Sequence, residues 1–198
     1  SSIAVFGPDA PKIAAQDSPL NPTTTYGETK RTGEALAGEY LTSFGVDCRG
    51  IRYPGLVSWQ APAGGGTTDY AVEIFHAALE KGHYECFVGP DTRLPMMYID
   101  DAIRATLELM DAPAESLGPS RAGYNVSGIS FTALELADAI AERIDGFTCD
   151  FVPDERQAYA DSWPAAVDDS AAREDWGWKA EYDLDAMVDA MIEGLSSN

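Results

Sequence analysis

Apolar and polar residues follow one another along the chain in blocks that predict strands and helices in turn. A short apolar run at residues 3–7 ends at Gly-Pro and predicts a buried strand. From Thr25, apolar and small residues recur at steps of three and four, which predicts a helix to about Phe44, before Gly45. Residues 47–54 then predict a strand that a proline stops. Strand, helix and strand in this order predict a right-handed parallel crossover.

The same alternation continues through the rest of the chain, beyond a glycine-rich loop at residues 63–68. The pattern predicts helices at about 69–81, 100–110 and 133–143, strands at 85–88, 124–126 and 149–152, and two short helices near the C-terminal end. Because strands and helices alternate throughout, the sequence predicts the α/β class.

Charge narrows the range of partners. The formal net charge is −20, from 33 acidic and 13 basic residues that are dispersed along the chain. Phosphate groups repel such a surface, so we expect no binding to nucleic acid or membranes. No apolar run approaches the roughly 20 residues that cross a bilayer, and residues 1–8 lack signal-peptide features, which predicts a cytoplasmic protein. The three cysteines, at positions 48, 86 and 149, lack metal-binding spacing, so we predict no metal site and expect all three to be buried and reduced.

Two residues on the first predicted helix suggest chemistry. Tyr26 and Lys30 lie four residues apart, so both side chains emerge on one face. A neighbouring ammonium favours the phenolate form, which would make Tyr26 a general base near neutral pH. Ser2 lies 24 residues before Tyr26, where its hydroxyl could face the tyrosine. The alternatives are a chance spacing of Tyr26 and Lys30, and a pair of ordinary polar strand residues at Ser1 and Ser2.

The motifs around these residues resemble the extended short-chain dehydrogenase/reductase family. They are Ser1-Ser2 before Val5-Phe6-Gly7, Tyr26-Gly27-Glu28-Thr29-Lys30, and Arg52-Tyr53-Pro54-Gly55. A second set is similar to the L-threonine 3-dehydrogenases of that family: Gly66-Thr67-Thr68-Asp69-Tyr70-Ala71, Leu94-Pro95-Met96-Met97-Tyr98, Arg156-Gln157, Asp161-Ser162-Trp163-Pro164 and Asp175-Trp176-Gly177-Trp178. The resemblance runs from Ser1 to about Leu195.

The resemblance implies how the chain is organised. It implies the C-terminal part of a Rossmann-like, doubly wound parallel sheet with a small α/β substrate-binding lobe. Residues 1–198 would form the C-terminal portion of one such dehydrogenase. Within it, 1–60 would be the catalytic part of the core, and 61–198 mainly the lobe, with interleaved core elements.

The resemblance also implies an NAD-dependent oxidoreductase that converts L-threonine to 2-amino-3-oxobutanoate. Tyr26 would take the proton of the β-hydroxyl while a hydride passes from the same carbon to NAD. Ser2 would hydrogen-bond the reacting oxygen, and Ser1 would contribute to the same pocket. Lys30 would hold the nicotinamide ribose beside Tyr26.

Four further residues are implied to contact the cofactor. Tyr53 and Pro54 would shape the turn after the second strand, and Leu56 and Val57 would pack along the nicotinamide. The alternative for Leu56 and Val57 is an ordinary buried strand end.

Threonine is zwitterionic, so its site needs donors for a carboxylate and an acceptor for an ammonium. Thr67 and Thr68 are candidate donors, although Thr68 could instead cap the following helix. Trp163 is a candidate wall or lid. The sequence leaves the ammonium acceptor unassigned.

One family feature does not occur in the chain. Dinucleotide binding in this fold needs a glycine-rich turn after an N-terminal strand, whereas residues 64–66 follow the catalytic helix. We therefore expect a fragment of a longer enzyme, or a product without its first strands, that alone binds NAD weakly and turns over slowly.

Two rival functions stay open. One is another extended dehydrogenase, such as a nucleotide-sugar epimerase or dehydratase, which would need cationic residues for its diphosphate. The other is a non-catalytic remnant that dimerises. The opposite face of the helix that carries Tyr26 could pair with a second copy, so we expect a homodimer.

Overall fold

The computed structural model describes residues 1–197, so Asn198, the last residue of the predicted lobe, lies outside the described residues. The helices are α1 (Thr25–Phe44), α2 (Tyr70–Lys81), α3 (Ile99–Asp111), α4 (Ala133–Ala141), α5 (Arg156–Asp161), α6 (Ser170–Trp176) and α7 (Leu184–Ser196). The strands are β1 (Ile13–Ala14), β2 (Ile51–Arg52), β3 (Gly55–Val57), β4 (His83–Cys86), β5 (Arg93–Tyr98), β6 (Tyr124–Asn125), β7 (Ile129–Thr132), β8 (Thr148–Phe151) and β9 (Ala166–Val167).

The predicted helix that carries Tyr26 is confirmed at both ends. Thr24 caps the start of α1, because its hydroxyl accepts the N–H of Gly27 at 3.0 Å. Gly45 ends the helix in the left-handed region at φ 68°, a conformation that glycine adopts without steric cost. Gly82 ends α2 in the same way. The strongest local signals in the sequence therefore set the helix boundaries.

Parallel strand pairs hold the fold together across long sequence separations. β1 pairs with β9, β2 with β6, β3 with β5, and β4 with β8, all in parallel, while β7 joins the other edge of β5 antiparallel. Ser2 also forms a parallel bridge to Tyr53, so the predicted crossover from the first segment through α1 is present. The α/β prediction is confirmed. The division at residue 60 stays a prediction, and several of the strand pairs cross it.

The first predicted strand was wrong in its local structure. Ile3–Val5 form one turn of 3₁₀ helix, and all three residues are buried. Ser2 begins this turn, because its Oγ accepts the N–H of Ala4 at 3.2 Å. A short buried apolar run has no periodicity that separates a strand from a tight turn.

The sequence also missed several elements and miscounted the last helices. Strands β1, β5, β7 and β9 were not predicted, and β3 was expected only as the alternative of a strand end at Leu56 and Val57. β5 contains Pro95 opposite Ser130 of β7, and a proline inside a run argues against a strand because it lacks an N–H donor. Three helices, not two, follow residue 152.

Residues 1–197 contain neither a cluster of metal ligands nor a membrane-spanning helix. No group of three or more His, Cys, Asp or Glu side chains there is arranged to hold a metal ion. In the same part of the chain, no helix is both long and apolar enough to span a membrane.

Candidate functional site

One cavity of about 800 Å³ brings together nearly all of the residues that the sequence predicted for the site. Its predicted members are Ser1, Ser2, Tyr26, Lys30, Tyr53, Pro54, Leu56, Thr67, Thr68 and Trp163. Ile3, Ala4, Thr24, Gly55, Gly66 and Tyr159 also line it and were not predicted. Segments more than 150 residues apart in sequence therefore meet at one place.

Tyr26 and Lys30 project from the first two turns of α1 into this cavity. The Lys30 ammonium lies 5.1 Å from the centre of the Tyr26 ring. Tyr26 is 56% exposed, so its hydroxyl is accessible to a ligand. The predicted one-face arrangement of these two side chains is present, and their catalytic roles stay predictions.

Gly27 lets α1 approach the turn that carries Ser2. A Cβ atom at this position would lie 2.1 Å from the carbonyl oxygen of Ala4 and 2.6 Å from Cβ of Pro22. Neither contact can be relieved by rotating a flexible side chain. The glycine therefore sets the spacing between Tyr26, its neighbour in sequence, and Ser2.

We expect Gly27→Ala to destabilise the protein by about 1–3 kcal/mol, because the added methyl group forces helix and turn apart. Gly33→Ala is the matched control in the same helix, since a Cβ atom there would have no neighbour within 4 Å. The free energy of unfolding of Gly33→Ala should rise by roughly 0.5–1 kcal/mol, because alanine favours a helix more than glycine does. Urea denaturation measures both, and equal effects would contradict the close-approach argument.

A buried ion pair lies behind the cavity wall and was not predicted. Arg52 donates to both carboxylate oxygens of Glu34, with Nε–Oε1 at 3.0 Å and Nη2–Oε2 at 2.8 Å. The Arg52 and Glu34 side chains are only 7% and 8% exposed. Arg52 Nη1 also donates to the Gln16 carbonyl and to Asn125 Oδ1. Ser1 connects this network to the cavity, because its hydroxyl donates to Glu34 Oε1 at 2.5 Å.

The turn after β2 forms another wall. The hydroxyl of Tyr53 is hydrogen-bonded to Thr106 of α3, which fixes the ring. Leu56 is partly exposed along the cavity, whereas Val57 is fully buried in the largest apolar core and does not line it. Successive strand residues point to opposite faces, so Leu56 and Val57 cannot both reach one ligand. For Val57, the alternative of a buried strand end fits the structure.

The glycine-rich loop is organised by Asp69. The backbone N–H groups of Gly64, Gly65 and Gly66 donate to Asp69 Oδ2 at 2.7, 2.7 and 2.8 Å. These amides are therefore engaged within the protein. The side chain of Thr68 makes no capping hydrogen bond to α2, and within residues 1–197 the hydroxyls of Thr67 and Thr68 have no hydrogen-bond partner. Both hydroxyls are free for a ligand.

Tyr159 is the largest cavity residue that the sequence missed. It lies on the short helix α5, four positions before Trp163, and is half-exposed. Trp163 lies beyond the end of α5, so this spacing is not a shared helix face, and a six-residue helix leaves almost no periodic signal in the sequence. Thr24 could have been found as a helix cap directly before Thr25.

The cysteines lie outside the cavity. Cys86 is buried, and Cys48 and Cys149 are half-buried, so the expectation that all three would be buried was wrong for two of them. Burial raises the pKa of Cys86 to about 11 and that of Cys149 to about 12. These two thiols therefore stay protonated and unreactive at neutral pH.

Comparison with known proteins identifies the family. Residues 1–127, more than half of the chain, match the NAD dependent epimerase/dehydratase family. The chain belongs to this family. Its Ser2, Tyr26 and Lys30 all lie within the part that matches the epimerase/dehydratase family.

Several members of this family are similar over almost the whole chain. "L-threonine 3-dehydrogenase, mitochondrial" of Bos taurus is 49% identical over 97% of this chain. The structure of the "GalE-like L-Threonine dehydrogenase" from Cupriavidus necator in its holo form is 52% identical over 98% of the chain, with a TM-score of 0.96. A "Monomeric L-threonine 3-dehydrogenase" from a metagenome is 54% identical over 100% of it, also with a TM-score of 0.96.

The chain is shorter than these relatives. It spans 52% of the Bos taurus protein, 63% of the Cupriavidus necator chain and 64% of the metagenome chain. The Rossmann-like prediction is confirmed by the likeness to these structures.

Proposed function

We propose that this chain is the catalytic and substrate-binding part of an NAD-dependent L-threonine 3-dehydrogenase. The observation that carries the proposal is the single cavity that gathers Ser2, Tyr26 and Lys30 with Thr67 and Thr68. Support comes from relatives about half identical to the chain that are named for this activity. The reaction would convert the β-hydroxyl of L-threonine to the ketone of 2-amino-3-oxobutanoate.

The protein side chains would divide the work of this oxidation. Tyr26, as phenolate, accepts the proton of the β-hydroxyl at its Oη, and the Lys30 ammonium beside it stabilises the phenolate. Ser2 holds the reacting oxygen through its hydroxyl proton, since its lone pair already accepts from Ala4. NAD, when bound, supplies the hydride acceptor.

The cavity fits the nicotinamide end of this cofactor. The partly exposed face of Leu56, the turn at Tyr53 and Pro54, and the side chains of Tyr26 and Lys30 offer apolar and polar surfaces side by side. The glycine-rich loop does not offer a site for the pyrophosphate, because the backbone amides of residues 64–66 already donate to Asp69. We infer that other parts of a longer protein hold the phosphates.

The substrate would lie between the cofactor residues and the lobe. Thr67 and Thr68 have free hydroxyls that can donate to the threonine carboxylate. Trp163, which is half-buried and lines the cavity, would exclude water from the reacting carbon.

The test is NADH formation from NAD and L-threonine, followed by absorbance. The chain by itself is compared with a chimera that adds the remaining part of the Cupriavidus necator relative. We expect threonine-dependent NADH from the chimera and much less from the chain alone. A folded chimera that binds NAD but forms no NADH from L-threonine would overturn the proposal and favour a sugar-nucleotide substrate.

We also propose that two copies associate through α1. Its exposed apolar side chains, Leu36, Tyr40 and Phe44, follow one another at steps of four and so form one row. Phe44 comes about five full turns after Tyr26, so this row lies on the same side of α1 as Tyr26 and not on the opposite face that the sequence suggested. The rings of Tyr40 and Phe44 contact each other at 5.3 Å, which leaves a continuous apolar surface. The metagenome relative is named as monomeric, so the oligomeric state needs its own measurement.

Sedimentation equilibrium should show about twice the mass of one chain, and Phe44→Lys should reduce it to a single chain, since a buried unpaired charge is costly at an interface. Ile13→Lys, equally exposed but outside α1, should leave the mass unchanged. A monomeric parent protein would refute this interface.

For location and partners, we propose a cytoplasmic protein that acts on a small molecule and binds neither nucleic acid nor membranes. The net charge of −20 supports the absence of nucleic-acid and membrane binding, because it repels phosphate-bearing surfaces. The word mitochondrial in the name of the Bos taurus relative concerns that protein. Fractionation of cells that express the protein would test the location.

A further inference from the structure

Two adjacent serines line the cavity. Within the protein, the hydroxyl of one accepts a hydrogen bond and the hydroxyl of the other donates one. Ser2 Oγ accepts the N–H of Ala4 at 3.2 Å, so its own proton remains available to a ligand. Ser1 Oγ donates to Glu34 Oε1 at 2.5 Å. A serine hydroxyl has a single proton, so the Ser1 hydroxyl keeps only lone pairs for a ligand. Toward the cavity, Ser2 is a donor and Ser1 is an acceptor.

Glu34 keeps the Ser1 hydroxyl in this orientation, because Arg52 holds the Glu34 carboxylate in place. The side chain of Glu34 is only 8% exposed, and Arg52 donates hydrogen bonds to both of its carboxylate oxygens. A carboxylate paired with a guanidinium has no proton to donate, so the hydrogen bond from Ser1 cannot reverse. The acceptor character of Ser1 is therefore fixed by two buried residues that do not line the cavity.

The geometry points to Ser1 as the acceptor for the α-ammonium group of the substrate, with Glu34 as the residue that positions it. This inference rests on the proposed function. Threonine has two donor groups at neutral pH, the β-hydroxyl and the ammonium, and the hydroxyl proton goes to Tyr26 in the proposed reaction. The ammonium is the donor that remains for Ser1.

The loop before α2 supplies donors for the carboxylate of a zwitterion. Thr67 and Thr68 present hydroxyls without a partner among the described residues, and these can donate to a carboxylate. The Glu34–Arg52 pair is neutral as a whole, so Ser1 supplies a hydrogen bond and not a counter-charge. The cavity therefore offers an α-amino acid both an acceptor for its ammonium group and donors for its carboxylate.

The test compares two ligands that differ only in the ammonium group, L-threonine and (R)-3-hydroxybutanoate. Each is titrated into the chimera, in which a peptide bond replaces the free α-amino group that Ser1 carries in the isolated chain, and binding is followed by NMR chemical shifts. One charge-assisted hydrogen bond should give L-threonine at least about tenfold tighter binding. Ser1→Ala should bring the ratio of the two dissociation constants close to one. Because it leaves Glu34 and Arg52 paired, this variant should stay folded.

Thr67→Val is the matched control on the carboxylate side. Both ligands carry the carboxylate, so this variant should weaken both equally and keep their ratio. A ratio that Ser1→Ala leaves unchanged would overturn the inference while threonine binding, and the proposed function, stand. Ser1→Ala could also lower the affinity for NAD without changing the ratio of the two dissociation constants. That result would overturn the inference as well, because Ser1 would then accept a hydrogen bond from the cofactor.

Different measurements decide this inference and the proposed function. All residues of the proposed ammonium site lie in this chain, so absence of saturable L-threonine binding would also overturn the inference. The proposed function is decided separately, by threonine-dependent NADH formation in the chimera.

Discussion

Tyr26→Phe is expected to lower kcat for threonine oxidation by about 10²- to 10⁴-fold, the usual contribution of a positioned general base. The substitution removes one oxygen atom and keeps the ring, so the contact with the Lys30 ammonium 5.1 Å away can persist. Affinity for NAD should therefore change little. The measurement is NADH formation by the chimera at saturating L-threonine, with NAD binding determined in parallel by fluorescence.

Tyr182→Phe is the matched control for the loss of a tyrosine hydroxyl. Tyr182 donates to Asp100 at the protein surface and does not line the cavity, so its variant should keep the parent rate. A Tyr26→Phe chimera that retains most of the parent kcat would show that another group takes the proton. Loss of activity in both variants would point to a general effect of the substitution and not to proton transfer.

The sequence predicted the centre of the site well because that part depends on local rules. Tyr26 and Lys30 share a face because α1 is a regular helix, and its start and end follow from Thr24 and Gly45. The motifs around them carried the family resemblance, which the match over residues 1–127 confirmed. Local geometry and short motifs were enough for this part of the molecule.

The periphery of the site could not be predicted in the same way. Tyr159 reaches the cavity through tertiary packing of a six-residue helix, which leaves almost no periodic signal. The 3₁₀ turn at Ile3–Val5 and the strand that contains Pro95 both depend on long-range contacts. Local propensity is overridden at these positions by burial and strand pairing.

The two serines show the limit most clearly. In the sequence Ser1 and Ser2 are equivalent polar residues next to an apolar run. Only the three-dimensional structure shows that Ser1 bonds to Glu34, 33 positions away, whereas Ser2 bonds within its own turn. Gly123 contributes as well, because a Cβ atom there would lie 2.5 Å from the Glu34 carboxyl carbon. The space for that carboxylate is thus set by a residue that no sequence motif connects to it.

Arg52→Met should destabilise the protein by about 3–5 kcal/mol, because it leaves the Glu34 carboxylate buried without its counter-charge. Asn125 Oδ1 and the Gln16 carbonyl would lose a donor in the same step. Methionine keeps only the first part of the arginine side chain, so part of this loss comes from the space that the guanidinium group leaves. Urea denaturation of the chain, monitored by circular dichroism, measures the free energy of unfolding.

Two comparisons separate the cost of an unpaired charge from other effects. Arg31→Met breaks the exposed ion pair between α1 residues Arg31 and Glu28, which should cost no more than about 1 kcal/mol. Arg52→Met combined with Glu34→Leu removes both buried charges and should recover much of the stability lost in Arg52→Met alone, since apolar replacements for a buried pair are often neutral. A double variant as unstable as the single one would mean that the guanidinium contacts to Gln16 and Asn125, and not its pairing with Glu34, stabilise this wall of the cavity.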